Sequence, residues 1–468
     1  MSALAALVRR KSVDTLRREA GQKQQLSRVL GLWQLTAIGL GGIIGVGIFV
    51  LTGVVAAHQA GPAVVLSFLM AGIASAAAAL CYAEFSGLIP VTGSAYTYAY
   101  AVLGELPGWI IGWDLLLEYA LIAAVVAAGW SGYVQSLGAA VGLHLPLWAQ
   151  GPHDSGAGHW VDLPAMLISL LMTMLLATRM EWGARFNGLI VSIKILAALL
   201  VVIAGVRYVD PARWHPFMPF GFNGVVAGAA VVFFGVFGYD MLTTAAEEAR
   251  NPKRDLPRAV VLSLALALLL YFAICMVLTG MVPYTSLGVP APVAYAFSAV
   301  GEPRVMIAIS IASVCGLTSV IFANLLAGSR IGFALGRDGL LPKWFARIHP
   351  QQHTPHHSTW LLGLITTLAA GCFPLDELAK MVNIGVLSAF IVICAAIIVL
   401  RRRQPALQRP FRTPWVPLIP LVGIGFSLWL ILSLPGITFV RFAVWMALGG
   451  LTYFKYGRRH SHLNAGTS

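Results

Sequence analysis

The chain is 468 residues long, 58% hydrophobic and only 10% charged, with a mean hydropathy of +0.81. Those values exclude a soluble globular protein and predict an all-α polytopic membrane protein. The net charge of +13 would suit nucleic acid only on a basic soluble face, and no separate soluble domain carries one.

Twelve candidate spans begin near Trp33, Gly61, Gly104, Leu163, Phe186, Gly224, Leu256, Arg304, Thr359, Leu378, Pro414 and Phe439. Several open with a proline in the first turn, where the missing N–H is not needed: Pro62, Pro164 and Pro257. The predicted division is a basic cytoplasmic segment 1–32, a ten-helix core 33–400, spans eleven and twelve over 401–456, and a cytoplasmic tail 457–468. The first 28 residues are basic without an apolar core or a small-residue cleavage site, which argues against a signal peptide. With the N-terminus inside, 25 of the 31 Lys and Arg fall on the cytoplasmic side. Arg207, Arg213, Arg304, Lys380 and Arg441 lie opposite, and Lys194 is left within a span. This asymmetry places both termini in the cytoplasm, for a multi-pass protein of the inner (plasma) membrane.

The first span carries GLGGIIGVGIF over 39–49, with glycines at Gly39, Gly41, Gly42, Gly45 and Gly47. Each costs a helix interior roughly 1 kcal/mol relative to alanine. Two readings compete: close helix–helix contact through small residues, or a helix broken at mid-membrane whose freed backbone binds something small and polar. Glu84, at the end of the second span, is expected to face a cytoplasmic vestibule or snorkel outward. In the third span Asp114 and Glu118 share one face, one turn apart. A mid-span carboxylate is costly and should face protein or water. Asp114 is read as a structural hydrogen-bonding residue and Glu118, deeper, as a candidate near a substrate cavity.

The fifth span holds Lys194, about seven residues or roughly 10–11 Å from its cytoplasmic end. Snorkelling would just reach the interface, yet a desolvated lysine can also exchange a proton or stand where a metal ion would otherwise sit. The second reading is preferred. The sixth span is interrupted again at FFGVFGYD, 233–240, by Gly235 and Gly238. Interruptions in two spans five apart imply halves of opposite topology and a midplane site, which favours the broken-helix reading. In the eighth span Thr318 and Ser319 read as packing hydroxyls, whereas Asn324 is expected to face a polar cavity. Asn383 is the polar exception in the tenth span and reads as packing. Arg401, Arg402 and Arg403 mark the inner interface.

Five cysteines without CxxC spacing argue against a disulfide framework or metal cage, and the histidines at His349, His353, His356 and His357 read as a solvated loop. No HExxH, GxSxG or GxxxxGK[ST] occurs, so no enzyme chemistry, cofactor or metal is expected.

GLGGIIGVGIFVLTG at 39–53, EEARNPKRDLP at 247–257 and GRDGLLPKWF at 336–345 together resemble the amino acid–polyamine–organocation (APC) transporters, in the bacterial form of the cationic amino acid transporter branch. The likeness runs from about Trp33 to Arg459. It implies a LeuT-like fold, with spans one to five and six to ten as an inverted repeat and helices one and six broken. It also implies sodium-independent, proton-coupled amino acid transport. Backbone N–H groups of Ile44, Gly45, Val46 and Gly47 would hold the substrate carboxylate, and carbonyls of Ile43, Phe234, Gly235 and Phe237 the amine. Both assignments suit helix-end electrostatics. Phe234 would gate the pocket, Lys194 would carry the proton coupling, and Glu118 with Asn324 would face the substrate side chain. Val46 stands where relatives often carry threonine or serine, and Gly235 where alanine is frequent.

The expected function is import of an L-amino acid, small neutral or cationic, with a proton by alternating access in a lipid bilayer. An electroneutral amino acid or polyamine exchanger and a non-transporting amino acid receptor remain alternatives. A channel is disfavoured by the sparse midplane polar groups, and a small membrane-protein partner is left open.

Overall fold

The computed structural model describes residues 30–89, 94–178, 184–240, 242, 249–349 and 354–462. The basic segment 1–29, Glu247, Glu248, His353 and residues 463–468, all used above, lie outside the described residues. Among those described the regular structure is helical, and only isolated bridges such as Leu30 with Ala249 pair extended backbone.

The first span is α1, Leu32–Ile43, followed by α2 over residues 47–60. Helix α2 consists of a π-turn Gly47–Leu51, an α-turn Thr52–Val55 and a second π-turn Ala56–Ala60. After Gly61 the chain enters α3, Val64–Leu88. Gly47–Leu88 is one helical stretch of 42 residues, about 63 Å at 1.5 Å per residue and twice a hydrocarbon core. It turns at Gly61, whose φ of +64° favours glycine, and so supplies half of the first span and all of the second.

The short α4, Ser94–Val102, leads into α5, Glu105–Ala140, then α6, Leu163–Ala177, and α7, Ala184–Gly205. The sixth span opens as α8, Gly221–Val232. Next come α9, Pro252–Met281, the short α10, Pro292–Ala299, and α11, Pro303–Arg337. Helices α12, His356–Cys372, α13, Leu375–Arg403, α14, Leu418–Leu432, and α15, Gly436–Thr452, complete twelve crossings. Proline opens α9, α10 and α11 as expected of that residue. Pro257, however, lies inside α9, because the helix already starts at Pro252 after Asn251.

The packing shows the inverted repeat directly. Span n pairs with span n+5 when α3 lies along α9, α5 along α11 and α6 along α12. The cross-contacts are images of one another: α1 on α9 matches α8 on α3, and α5 on α13 matches α7 on α11. The chain is therefore an all-α polytopic membrane protein with a LeuT-like five-plus-five core. Outward-facing Leu69, Leu167, Leu196, Leu269, Leu368 and Leu432 are exposed, as lipid-facing positions should be.

At the end of α3 Glu84 neither snorkels nor faces a vestibule. It is fully buried and pairs with Arg401 at 2.7 Å and Arg409 at 3.0 Å, and it accepts the Thr413 N–H at 2.8 Å. The charge is thus compensated at once by two guanidinium groups and a backbone donor. It fastens α3 to the end of α13 and to the loop before α14.

Candidate functional site

Both readings of the glycine-rich first span hold, at different residues. A Cβ on Gly39 would come within 2.7 Å of Ser263, and one on Gly41 within 2.6 Å of Val191, so these two let α1 press onto α9 and α7. The break follows them. Ile44 N–H still donates to Leu40 O at 2.7 Å, but its ψ of 101° leaves the helix. Ile48 and Phe49 then donate to Gly45 O, both at 3.2 Å, and the chain coils again as α2. The first N–H groups of that second half have no partner within their own helix.

The sixth span breaks in a different way. Helix α8 tightens into a 3₁₀ turn, Phe233–Val236, and Phe237 is extended at φ −106°, ψ 165°. Gly238 follows at φ +129°, which no side chain tolerates well, and a Cβ there would meet the Gly42 backbone at 2.5 Å. The two breaks touch where Gly47 and Gly235 face each other: a Cβ on Gly47 would lie 2.7 Å from Gly235 Cα.

Between them is a small cavity of about 20 Å³, room for roughly one water. The first break contributes Ile43, Gly45, Val46 and Gly47 to its wall, and the sixth contributes Phe234, Gly235 and Phe237. Asn324 and Val320 close it from α11, while Tyr119 and Ile122 do so from α5. Asn324 Nδ2 donates to Val320 O at 2.8 Å, and its Oδ1 has no hydrogen-bond partner among the described residues. Of the residues expected to bind substrate, Ile44 and Glu118 do not line this cavity.

Glu118 and Asp114 are both 1% exposed, and none of their four carboxylate oxygens has a hydrogen-bond partner among the described residues. Asp114 is thus not the hydrogen-bonded structural residue expected from its position. It sits against α13 instead, where a Cβ on Gly385 would come within 2.8 Å of Oδ1. The acid that reaches the cavity is Asp240, whose Oδ2 accepts the Tyr119 hydroxyl at 2.7 Å. Asp240 closes the FFGVFGYD motif, and a carboxylate beside a helix break was the signal that could have singled it out.

Lys194 does not snorkel. It is 1% exposed, and its Nζ donates to Gly41 O at 3.0 Å, just before the first break. Its stem crosses α11 at Gly316, where a Cβ would lie 2.8 Å from Lys194 Cγ. The lysine therefore bridges α7, α1 and α11. Tyr271 of α9 was not apparent in the sequence. Its hydroxyl is 2.6 Å from Gly235 O and 3.1 Å from Ile43 O, so one side chain spans both breaks. A tyrosine in an apolar helix gives no sign of such a role. Asn383 also does more than pack: it hydrogen-bonds the backbone at the end of α8. No group of three His, Cys, Asp or Glu able to hold a metal occurs among the described residues.

A family model described as amino acid permease matches residues 30–452. The methylthioribose transporter of Bacillus subtilis is 46% identical over 461 residues, covering 98% of this chain and all of the relative. The branched-chain amino acid permease BcaP of the same organism is 44% identical over 462 residues, 98% of this chain and 99% of the relative. Mouse cationic amino acid transporter 4 is 37% identical over 392 residues, 82% of this chain and 61% of the relative.

Proposed function

Because the chain belongs to the amino acid permease family of APC transporters, we propose that it imports L-amino acids with a proton by alternating access. One observation carries the reading: the two broken helices meet at Gly47 and Gly235 around a common cavity. The start of α2 offers N–H groups and a positive dipole end, which suit a carboxylate. The carbonyls of Ile43, Phe234, Gly235 and Phe237 suit an ammonium group. A zwitterion satisfies both ends at once, and the backbone rather than any side chain recognises it. The cavity holds no amino acid at its present size, so its wall must open for one to enter, and Phe234 is the gate in this reading.

Lys194 is the coupling residue in this reading. Its Nζ holds Gly41 O strongly as a charged ammonium and more weakly as a neutral amine. A change in its charge therefore alters the hold of α7 on α1 beside the substrate carboxylate site. Asn324, with an oxygen to spare in the cavity, faces the substrate side chain. The protein lies in the inner membrane with both termini cytoplasmic, residues 33–400 forming the transport core and α14 and α15 flanking it.

The test is uptake of labelled L-alanine, L-leucine and L-arginine into sodium-free proteoliposomes, with and without an inward proton gradient. Gradient-driven accumulation is the expected result, and exchange from preloaded vesicles without accumulation would replace symport by antiport. A second reading follows from the relative named a methylthioribose transporter, which matches along its whole length. That uncharged sugar thioether has neither the carboxylate nor the amine to which the two helix ends are suited. Uptake of labelled methylthioribose beside the amino acid labels decides between them, since accumulation of the sugar without amino acid flux would favour the second reading.

A further inference from the structure

We propose that Asn383, on the tenth span and outside the cavity wall, positions the broken end of the sixth span and thereby sets substrate affinity independently of the substrate side chain. The inference rests on the amino acid transport reading above. Asn383 is fully buried in α13. Its Oδ1 accepts the Phe234 N–H at 2.8 Å, and its Nδ2 donates to Val231 O at 2.9 Å. These are backbone groups on either side of the change from α-helix to 3₁₀ turn, at Phe233. There the regular ladder lapses, and a buried amide without a partner is costly. One asparagine side chain supplies a donor and an acceptor in fixed relation, which is what the two freed groups require.

The position of the clamp gives it a function. Phe234 and Gly235, immediately after the clamped peptide, line the cavity and contribute carbonyls to the proposed amine site. Ser75 Oγ donates to Val236 O at 3.0 Å and Tyr271 to Gly235 O at 2.6 Å, so the turn is held from α3, α9 and α13 together. Asn383 is the member of this set that holds backbone on both sides of the start of the turn, and the one bonded to Phe234 itself. Two residues further along α13, Gly385 receives the Asp114 side chain, so the same short segment of α13 faces α8 on one side and α5 on the other. The substrate's own side chain lies elsewhere, toward Asn324 and Val320. Loosening the turn should weaken the grip on the part that all amino acids share.

The experiment compares wild type, Asn383→Leu and Asn383→Asp in proteoliposomes, measuring KM and Vmax for alanine, leucine and arginine. Leucine matches the size and removes both hydrogen bonds, whereas aspartate keeps the acceptor for Phe234 N–H. In Asn383→Leu the KM for each transported label should rise roughly tenfold, with the ratios among substrates preserved and Vmax little changed. Asn383→Asp should fall between it and wild type, and the effect of Asn383→Leu should not depend on pH. A merely structural asparagine predicts a lower Vmax at unchanged KM, since only the amount of folded protein falls, and that result overturns the proposal. So does a shift in the ratio among substrates, which would make Asn383 a specificity contact. If Asn383→Leu does not fold, the same criteria applied to Asn383→Asp decide. Wild-type vesicles without flux of any label would instead overturn the amino acid reading, and this inference with it.

Discussion

The two helix breaks occupy corresponding places in the inverted repeat, yet they are held by different chemistry. The first is tied by Lys194 to Gly41 O on one side and by Tyr133 to Phe49 O, at 2.6 Å, on the other. The sixth is tied by Ser75, Tyr271 and Asn383. The clamps on the 233–236 turn are hydroxyls and an amide, with the Asp240 carboxylate held by Tyr119 just beyond it, whereas the first break has a lysine, whose charge can change. Of the two corresponding breaks, one is therefore clamped by a titratable amine and the other has its turn fixed by neutral groups. The fixed one can serve as a platform while the titratable one moves. In the proposed symport, this division would let uptake depend on protons without any charged group on the substrate side chain.

The sharpest way to break the comparison is at Lys194. Lys194→Ala should abolish gradient-driven uptake at every pH while the protein still inserts and purifies as a single species. Lys194→Arg should retain binding but lose the response to the gradient, because a guanidinium does not deprotonate in a protein. Wild-type accumulation by either variant would remove the lysine from coupling and erase the proposed difference between the halves.

Next in size are the glycines at the crossing point, where the comparison becomes quantitative. An alanine Cβ at Gly47 would come within 2.4 Å of the Tyr271 hydroxyl and 2.7 Å of Gly235 Cα, while one at Gly235 meets Gly47 Cα at 2.9 Å. Backbone cannot step aside, and overpacking of this kind costs roughly 1–3 kcal/mol. Gly47→Ala should therefore lower thermal stability and abolish stabilisation by substrate, with Gly235→Ala milder on both. The reverse order, read by melting with and without amino acid, would mean that the first break yields more readily than its contacts suggest.

Much of this arrangement was legible in the chain. Glycine density marked the first and sixth spans, the five-span interval gave the opposed halves, and the position of Lys194 in VSIKILAAL gave a buried amine. What remained hidden depends on contacts between distant helices. Tyr271 and Asn383 each sit alone in apolar helices, and nothing in their local sequence says that a broken backbone lies across from them. Glu84 misled for the same reason, since Arg401 and Arg409, more than three hundred residues away, neutralise it in the interior. Asp114 read as hydrogen-bonded because an isolated carboxylate ought to be; its neighbour turned out to be the bare backbone of Gly385.

Tyr271→Phe tests whether the shared clamp matters to both breaks. Removing one hydroxyl should cost about 0.5–1.5 kcal/mol of hydrogen bonding, a loss of a few-fold to tenfold in apparent affinity. Because the hydroxyl reaches Gly235 O and Ile43 O, the loss should be equal for all amino acids and indifferent to pH. A pH-dependent loss would tie Tyr271 to the titratable half instead.

The smallest effect is expected at Asn324, and it separates the backbone platform from the side-chain cavity. Its Nδ2 returns to its own helix at Val320 O, so Asn324→Ala should leave α11 intact and stability nearly unchanged. The free Oδ1 faces the cavity and can accept a hydrogen bond from a polar or cationic substrate side chain. One such bond is worth about 1 kcal/mol, so arginine should lose several-fold in KM relative to leucine, whose own KM should hardly move. The measurement is competition of each amino acid against labelled leucine, in wild type and variant. An equal loss for both would place Asn324 with Asn383 and Tyr271 among the residues that hold the platform. An unequal loss keeps the two functions apart: backbone at the breaks to recognise that the ligand is an amino acid, and α11 to recognise which one.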